Sequence, residues 1–147
     1  MPTRNVYWVG LLSGAGSAEM PAAFADQFTV RMVSSVDALI QAIQENPVLA
    51  CVFEFDYPDC RSLDTFARFK EDFPWVPAVM VTPGHSETIA RWAFRNGARV
   101  FLVHPLSGIE TEHCARRLQI IDSARVSAGT CVAQALNHYS EQRSSQR

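Results

Sequence analysis

Val48-Leu49-Ala50-Cys51-Val52-Phe53-Glu54-Phe55-Asp56-Tyr57-Pro58 carries the decisive pattern: six apolar residues without a break, then carboxylates and a proline. An apolar run with no polar alternation suits a strand buried on both faces, as in the middle of a parallel sheet. Val6-Tyr7-Trp8-Val9 and Ala78-Val79-Met80-Val81 have the same character, and Val100 to Val103 supplies a fifth strand. The run Phe28 to Val33 differs, because Thr29 and Arg31 alternate with Phe28, Val30 and Met32. That alternation predicts an edge strand wetted on one side.

The intervening pieces are long enough for crossover helices. Ser35 is placed to cap a helix whose Val36, Leu39, Ile40 and Ile43 form one stripe, ended by Asn46-Pro47. Ser62 to Asp72 carries Leu63, Phe66 and Ala67 on one face and stops at Pro74. Ser86 opens a helix running to Asn96, with Gly97 as a left-handed cap. Ser107 and Glu110 form a capping box after Pro105. A first helix, around Ala18 to Gln27, must hold Pro21 in its opening turn. Alternating strands and helices predict an α/β doubly wound, five-stranded parallel sheet, with its crevice at the carboxyl ends of strands one, three and four.

The chain has 147 residues, 48% of them hydrophobic and 19% charged, which suits one domain. A formal net charge of −2 argues against a broad nucleic-acid surface or a polybasic membrane surface. No apolar run approaches the roughly 18 residues that span a bilayer, and no basic-then-apolar export signal opens the chain. A soluble cytoplasmic protein is expected, without membrane contact or direct nucleic-acid binding. Cys51, Cys60, Cys114 and Cys131 have no CxxC spacing, and no pattern with His85, His104, His113 or His138 suggests zinc. No metal, cofactor or catalytic residue is expected.

Beyond the last capping box, Cys114, Leu118, Ile121, Ala128, Val132, Ala135 and Tyr139 follow heptad-like steps, with Arg125 in one slot and Gly129 weakening the helix. Either a helix protrudes and pairs with a second copy, or a helix pair folds back at Ser127-Ala128-Gly129. The expected organisation is a domain over residues 4–122, a helical extension over 123–139 and a disordered tail over 140–147.

Several landmarks, in order, resemble the bacterial response-regulator receiver domain, the CheY-like fold with strand order 2-1-3-4-5. Glu54-Phe55-Asp56-Tyr57-Pro58 is similar to that family's Asp-x-x-x-Pro turn, and Phe73-Pro74-Trp75-Val76-Pro77-Ala78-Val79-Met80-Val81-Thr82 to its FPxxPVIxLT stretch. Asn96-Gly97-Ala98 precedes the fifth strand, and Phe101-Leu102-Val103-His104-Pro105-Leu106 is similar to YLxKPF. The resemblance implies a phospho-accepting Asp after strand three and an acidic pair after strand one that holds Mg²⁺. It also implies a Thr or Ser after strand four, a switch aromatic and a Lys after strand five.

Here the acceptor position is Glu54, the acidic pair is Gly10 and Leu11, and the Lys position is His104. No Asp or Glu precedes Glu19, and Lys70 is the single lysine, on the third helix with no evident reason to reach the crevice. Thr82 and the switch aromatic Phe101 remain. Asp56 and Asp59 fall past the acceptor spacing. The resemblance therefore implies a degenerate receiver. Three readings of the altered pocket stand: Glu54 imitates a phosphorylated Asp, Glu54 and His104 form an acid–imidazole pair, or both are drifted remnants.

With the switch lost, function is expected at surfaces, chiefly the face of the fourth helix, fifth strand and fifth helix that the family uses. On the fourth helix Ala90, Ala93, Phe94 and Gly97 share one side and are expected on the sheet. Trp92 then faces solvent beside Arg91 and Arg95, as a partner anchor or a lone surface aromatic. Trp8 and Trp75 are expected to pack. Arg91, Trp92, Arg95, Leu118, Ile121 and Val132 are the candidate partner or dimer contacts. The expected function is non-catalytic signalling through a protein partner, as a homodimer. The alternatives are the sensory domain of a longer DNA- or RNA-binding regulator, and a small-molecule sensor using the crevice.

Overall fold

A computed structural model of the chain describes residues 5–11, 22–55, 60–104 and 107–124. Five strands, β1 (Asn5–Leu11), β2 (Thr29–Val33), β3 (Ala50–Phe55), β4 (Ala78–Thr82) and β5 (Ala98–Val103), alternate with helices α1 (Ala22–Gln27), α2 (Val36–Glu45), α3 (Cys60–Asp72) and α4 (Glu87–Arg95). A fifth helix, α5, covers residues 108–124. All strand pairs are parallel, in the order β2-β1-β3-β4-β5.

The period of two along each strand divides the core between two layers. Val6 and Trp8 of β1, Ala50 and Val52 of β3, Val79 and Val81 of β4, and Val100 and Leu102 of β5 pack with Phe24 and Phe28 around α1 and with Cys114, Ala115 and Leu118 of α5. On the other face Tyr7, Val9, Cys51, Phe53, Phe55 and Met80 meet Leu39 of α2, Phe66 and Phe69 of α3 and Ala93 of α4. Every residue of β3 and β4 is buried, whereas β2, at the edge, leaves Met32 54% exposed.

The caps act as expected. The hydroxyls of Ser35, Ser86 and Ser107 accept from the backbone N–H of Ala38, Ile89 and Glu110 at 3.1, 3.3 and 3.1 Å. Gly97 adopts φ +102°, a left-handed conformation that favours glycine, and a Cβ there would meet Lys70 Cε at 2.7 Å. Lys70 is buried, and its ammonium donates to the carbonyls of Phe73, Pro74 and Val76. Burial lowers its pKa, and the nearby Arg99 charge adds to that. The one lysine therefore fastens the α3–β4 turn, at the amino-terminal end of the sheet.

Several expectations need correction. Ile89, Trp92 and Ala93, not Ala90 and Phe94, face the core from α4; Trp92 is half-buried with its ring 6.1 Å from that of Phe66. Phe94 is the outward aromatic, 51% exposed. Both stripes satisfy helical periodicity, but the larger indole is the one that fills the space beside Phe66. Trp75, expected to pack, is 60% exposed and touches Phe73 edge-on. Leu118, a candidate dimer contact, is 1% exposed in the domain's own core. Thr111, Cys114, Ala115 and Leu118 recur at three and four residues, so Cys114 and Leu118, the described start of the seam that suggested pairing of helices, belong to the stripe with which α5 covers the sheet. Residues 125–147, and with them Val132 and all but the first two residues of the expected extension, lie outside the described residues, as do 1–4, 12–21, 56–59 and 105–106.

Candidate functional site: the crevice at the carboxyl ends of the strands

Glu54 and His104 meet because of strand parity. Ala50, Val52 and Glu54 point to the same side of β3, and Val100 and Leu102 show that His104, just past β5, continues the matching row. Two strand spacings, about 10 Å, separate β3 from β5, and β4 lies between them. Two extended side chains close that gap: Glu54 Oε2 lies 2.8 Å from His104 Nε2. A carboxylate oxygen accepts, so the imidazole Nε2 is the donor. Glu54 is 1% exposed and the His104 side chain 33%. The other carboxylate oxygen, Oε1, is buried with no hydrogen-bond partner among the described residues.

The described residues at the other expected positions do not complete a phosphoryl-transfer site. Gly10 is the register partner of Glu54 on β1 and contributes no side chain, while Leu11, opposite Phe55, ends the strand. Thr82 is buried at the end of β4, and its hydroxyl donates to the Gly84 carbonyl at 2.9 Å, within its own loop. The His104 backbone N–H donates to the Thr82 carbonyl at 2.8 Å, fixing where the imidazole starts. Phe101 is half-buried against the α2–α4 layer. Mg²⁺, the ion this fold family implies, demands several oxygen ligands in octahedral array. Glu54 is the one carboxylate the described crevice supplies, and its Oε2 is already bonded to imidazole. The described residues do not fit the ion. Among the described residues no three His, Cys, Asp or Glu side chains gather into a metal-binding group.

The other singled-out residues lie elsewhere. Arg91 pairs with Glu87 at 2.8 Å on the surface of α4, Arg95 is exposed in its last turn, and Ile121 is half-buried near the end of α5. None of them reaches the crevice. Phe94 and Trp75 were missed as surface aromatics. Phe94 had one usable signal, the alternative stripe through Ile89 and Trp92; Trp75, between Pro74 and Val76, had none.

No family model and no curated protein matches the sequence. Solved structures do resemble the fold. A pilus-assembly-related protein of Burkholderia pseudomallei superposes with a TM-score of 0.67 at 17% identity, over 80% of this chain and 90% of that one. A CheY-like response-regulator receiver domain of Methanospirillum hungatei gives 0.60 at 14% identity, over 84% and 99%. NtrX of Brucella abortus gives 0.67 at 15% identity, over 88% of this chain and 30% of that one. At such identities the likeness defines the fold and no more: this is the receiver-domain, CheY-like architecture. Among the described residues no helix is long and apolar enough to cross a membrane.

Proposed function

We propose that the chain is a degenerate receiver: a non-catalytic, phosphorylation-independent module of two-component signalling that acts through protein contacts. The observation that carries this reading is the Glu54–His104 contact of 2.8 Å. A receiver needs a free carboxylate at the β3 tip, a metal beside it and a mobile ammonium across from it. Here one oxygen of the Glu54 carboxylate is held by imidazole and the other is shut from solvent, which leaves a phosphodonor nothing to meet at Glu54. The lysine is fastened at the far end of the sheet. The pair ties β3 to β5 and holds the crevice in one state.

The module acts as a homodimer through the outward side of α5. Ile109 and Ile120 are 70% and 68% exposed and fall within about 20° of one another around the helix axis. The 30% coverage of NtrX supports a second reading, a regulatory domain of a longer protein.

The test is incubation with acetyl phosphate and Mg²⁺ followed by intact mass, with sedimentation in parallel. The expected result is an unmodified chain that sediments as a dimer. A phosphoryl adduct on Glu54 would overturn the signalling reading, and a monomer across the concentration range would overturn the dimer.

A further inference from the structure

At the opposite end of the sheet from Glu54, the edge strand β5 carries an irregularity. Ala78 pairs with Ala98 but Val79 pairs with Val100, so Arg99 is an extra residue in the β4–β5 register. A bulge bends the strand and re-aims the inserted side chain. Arg99 is exposed at the rim of a cavity of about 380 Å³, lined also by Lys70, Glu71, Phe94, Arg95 and Gly97. A second groove of about 430 Å³ begins on the other side of Arg99 and Pro74 and is bounded by Trp75, Pro77 and Ile121.

Three properties make this edge a recognition surface. Its charge is unbalanced: three cations line the first cavity against one carboxylate. Arg68, Arg91 and Arg116 each pair with an acid four residues earlier, but the residue four before Arg95 is Arg91, and Arg99 lies in a strand. Among the described residues neither Arg95 nor Arg99 has an ion-pair partner. Two large aromatics, Phe94 and Trp75, stand more than half exposed on either side of the arginines. Aromatic and Arg side chains are the residues that dominate binding energy at protein interfaces. The floor is rigid, since Lys70 is bonded to three carbonyls and packs against Gly97.

We propose that this edge docks an acidic linear segment of a partner protein, with carboxylates at Arg95 and Arg99 and an aromatic or aliphatic side chain between Phe94 and Trp75. Charge complementarity selects that occupant. A second copy of the chain would bring the same cationic patch against itself. A nucleic acid needs a broad basic surface, whereas this one contains Glu71 and two exposed aromatics. The surface is independent of the crevice, so the acetyl phosphate result and the present one can fail separately.

The test selects peptides on the whole chain from an unbiased phage-displayed library and measures the enriched peptides by fluorescence polarisation. Enriched sequences are expected to place Asp or Glu beside Phe, Tyr, Trp or Leu. Their affinity falls at least about tenfold on Arg95→Glu/Arg99→Glu and on Phe94→Ser, and is unchanged by Met32→Ser on the far edge. Circular dichroism melting of each variant confirms folding, and Arg99→Gln, a milder change, gives an intermediate loss. Enrichment of neutral or basic sequences, or affinity that survives both the charge reversal and Phe94→Ser in folded protein, overturns the proposal.

Discussion

Glu54 Oε2 and His104 Nε2 lie 2.8 Å apart although fifty positions separate the residues in the chain, and β4 runs between the strands that carry them. The contact uses the full reach of both side chains. It joins the two sheet positions whose changed residues first suggest a lost switch.

The pair contributes to stability as a hydrogen bond to a charged group. A double-mutant cycle of Glu54→Ala and His104→Ala, followed by urea unfolding, is expected to give a coupling of about 1.5 kcal/mol, at the low end of the range because His104 is partly solvated. A coupling near zero means that the contact does not persist in solution.

Length matters as well as charge. Glu54→Asp withdraws the carboxylate by one methylene and breaks the contact, so it is expected to lose most of that coupling energy. Glu54→Gln keeps an acceptor and retains more. The His104 imidazole nitrogen shifts in NMR separate the two: Asp gives the spectrum of Glu54→Ala, and Gln does not.

Leu118 tests which surface α5 uses. Leu118→Ala is expected to cost about 2–5 kcal/mol through the cavity left under the helix. If the loss belongs to the domain core, the destabilisation measured by urea unfolding is the same across protein concentrations. A loss that vanishes on dilution would place Leu118 in a subunit interface instead.

Gly97 and Lys70 form one structural unit. Gly97→Ala forces a side chain into a left-handed backbone and against Lys70 Cε, and is expected to cost at least about 1 kcal/mol. Lys70→Met removes the ammonium donor from the Pro74 and Val76 carbonyls, while Phe73 still accepts from the Val76 N–H, and is expected to cost about 1–3 kcal/mol. Thermal unfolding measures both.

Two thiols set an alkaline limit. Burial pushes Cys51 and Cys114 up to about 12 from the usual 9.0. Between those values the unfolded chain has released protons that the folded chain keeps, so stability falls as pH rises. The slope approaches about 1.4 kcal/mol per pH unit for each thiol. Stability from this source is whole below pH 9 and lost towards pH 12. Cys51→Ala/Cys114→Ala is expected to flatten the alkaline limb relative to the parent in urea titrations at successive pH values. Parallel limbs would exclude the thiols as its cause.

Most of the fold was legible from residue order. Unbroken apolar runs mark β1, β3 and β4, alternation marks β2 as an edge, and the three serine caps and Gly97 mark helix ends. These are local signals, carried by spacing and backbone preference. The absence of carboxylates before Glu19 likewise needs no structure to be seen. Choices between equally periodic alternatives were not legible. Ile89-Trp92-Ala93 and Ala90-Ala93-Phe94 both make a stripe on α4, and packing of the indole against Phe66 selects the first. Cys114 and Leu118 suit a coiled-coil seam or a sheet cover, and the apolar rows of β1, β3, β4 and β5 make the second the better burial. The Arg99 bulge and the reach of Glu54 to His104 depend on register and strand order. These bring together residues far apart in the chain, and tertiary structure alone decides them.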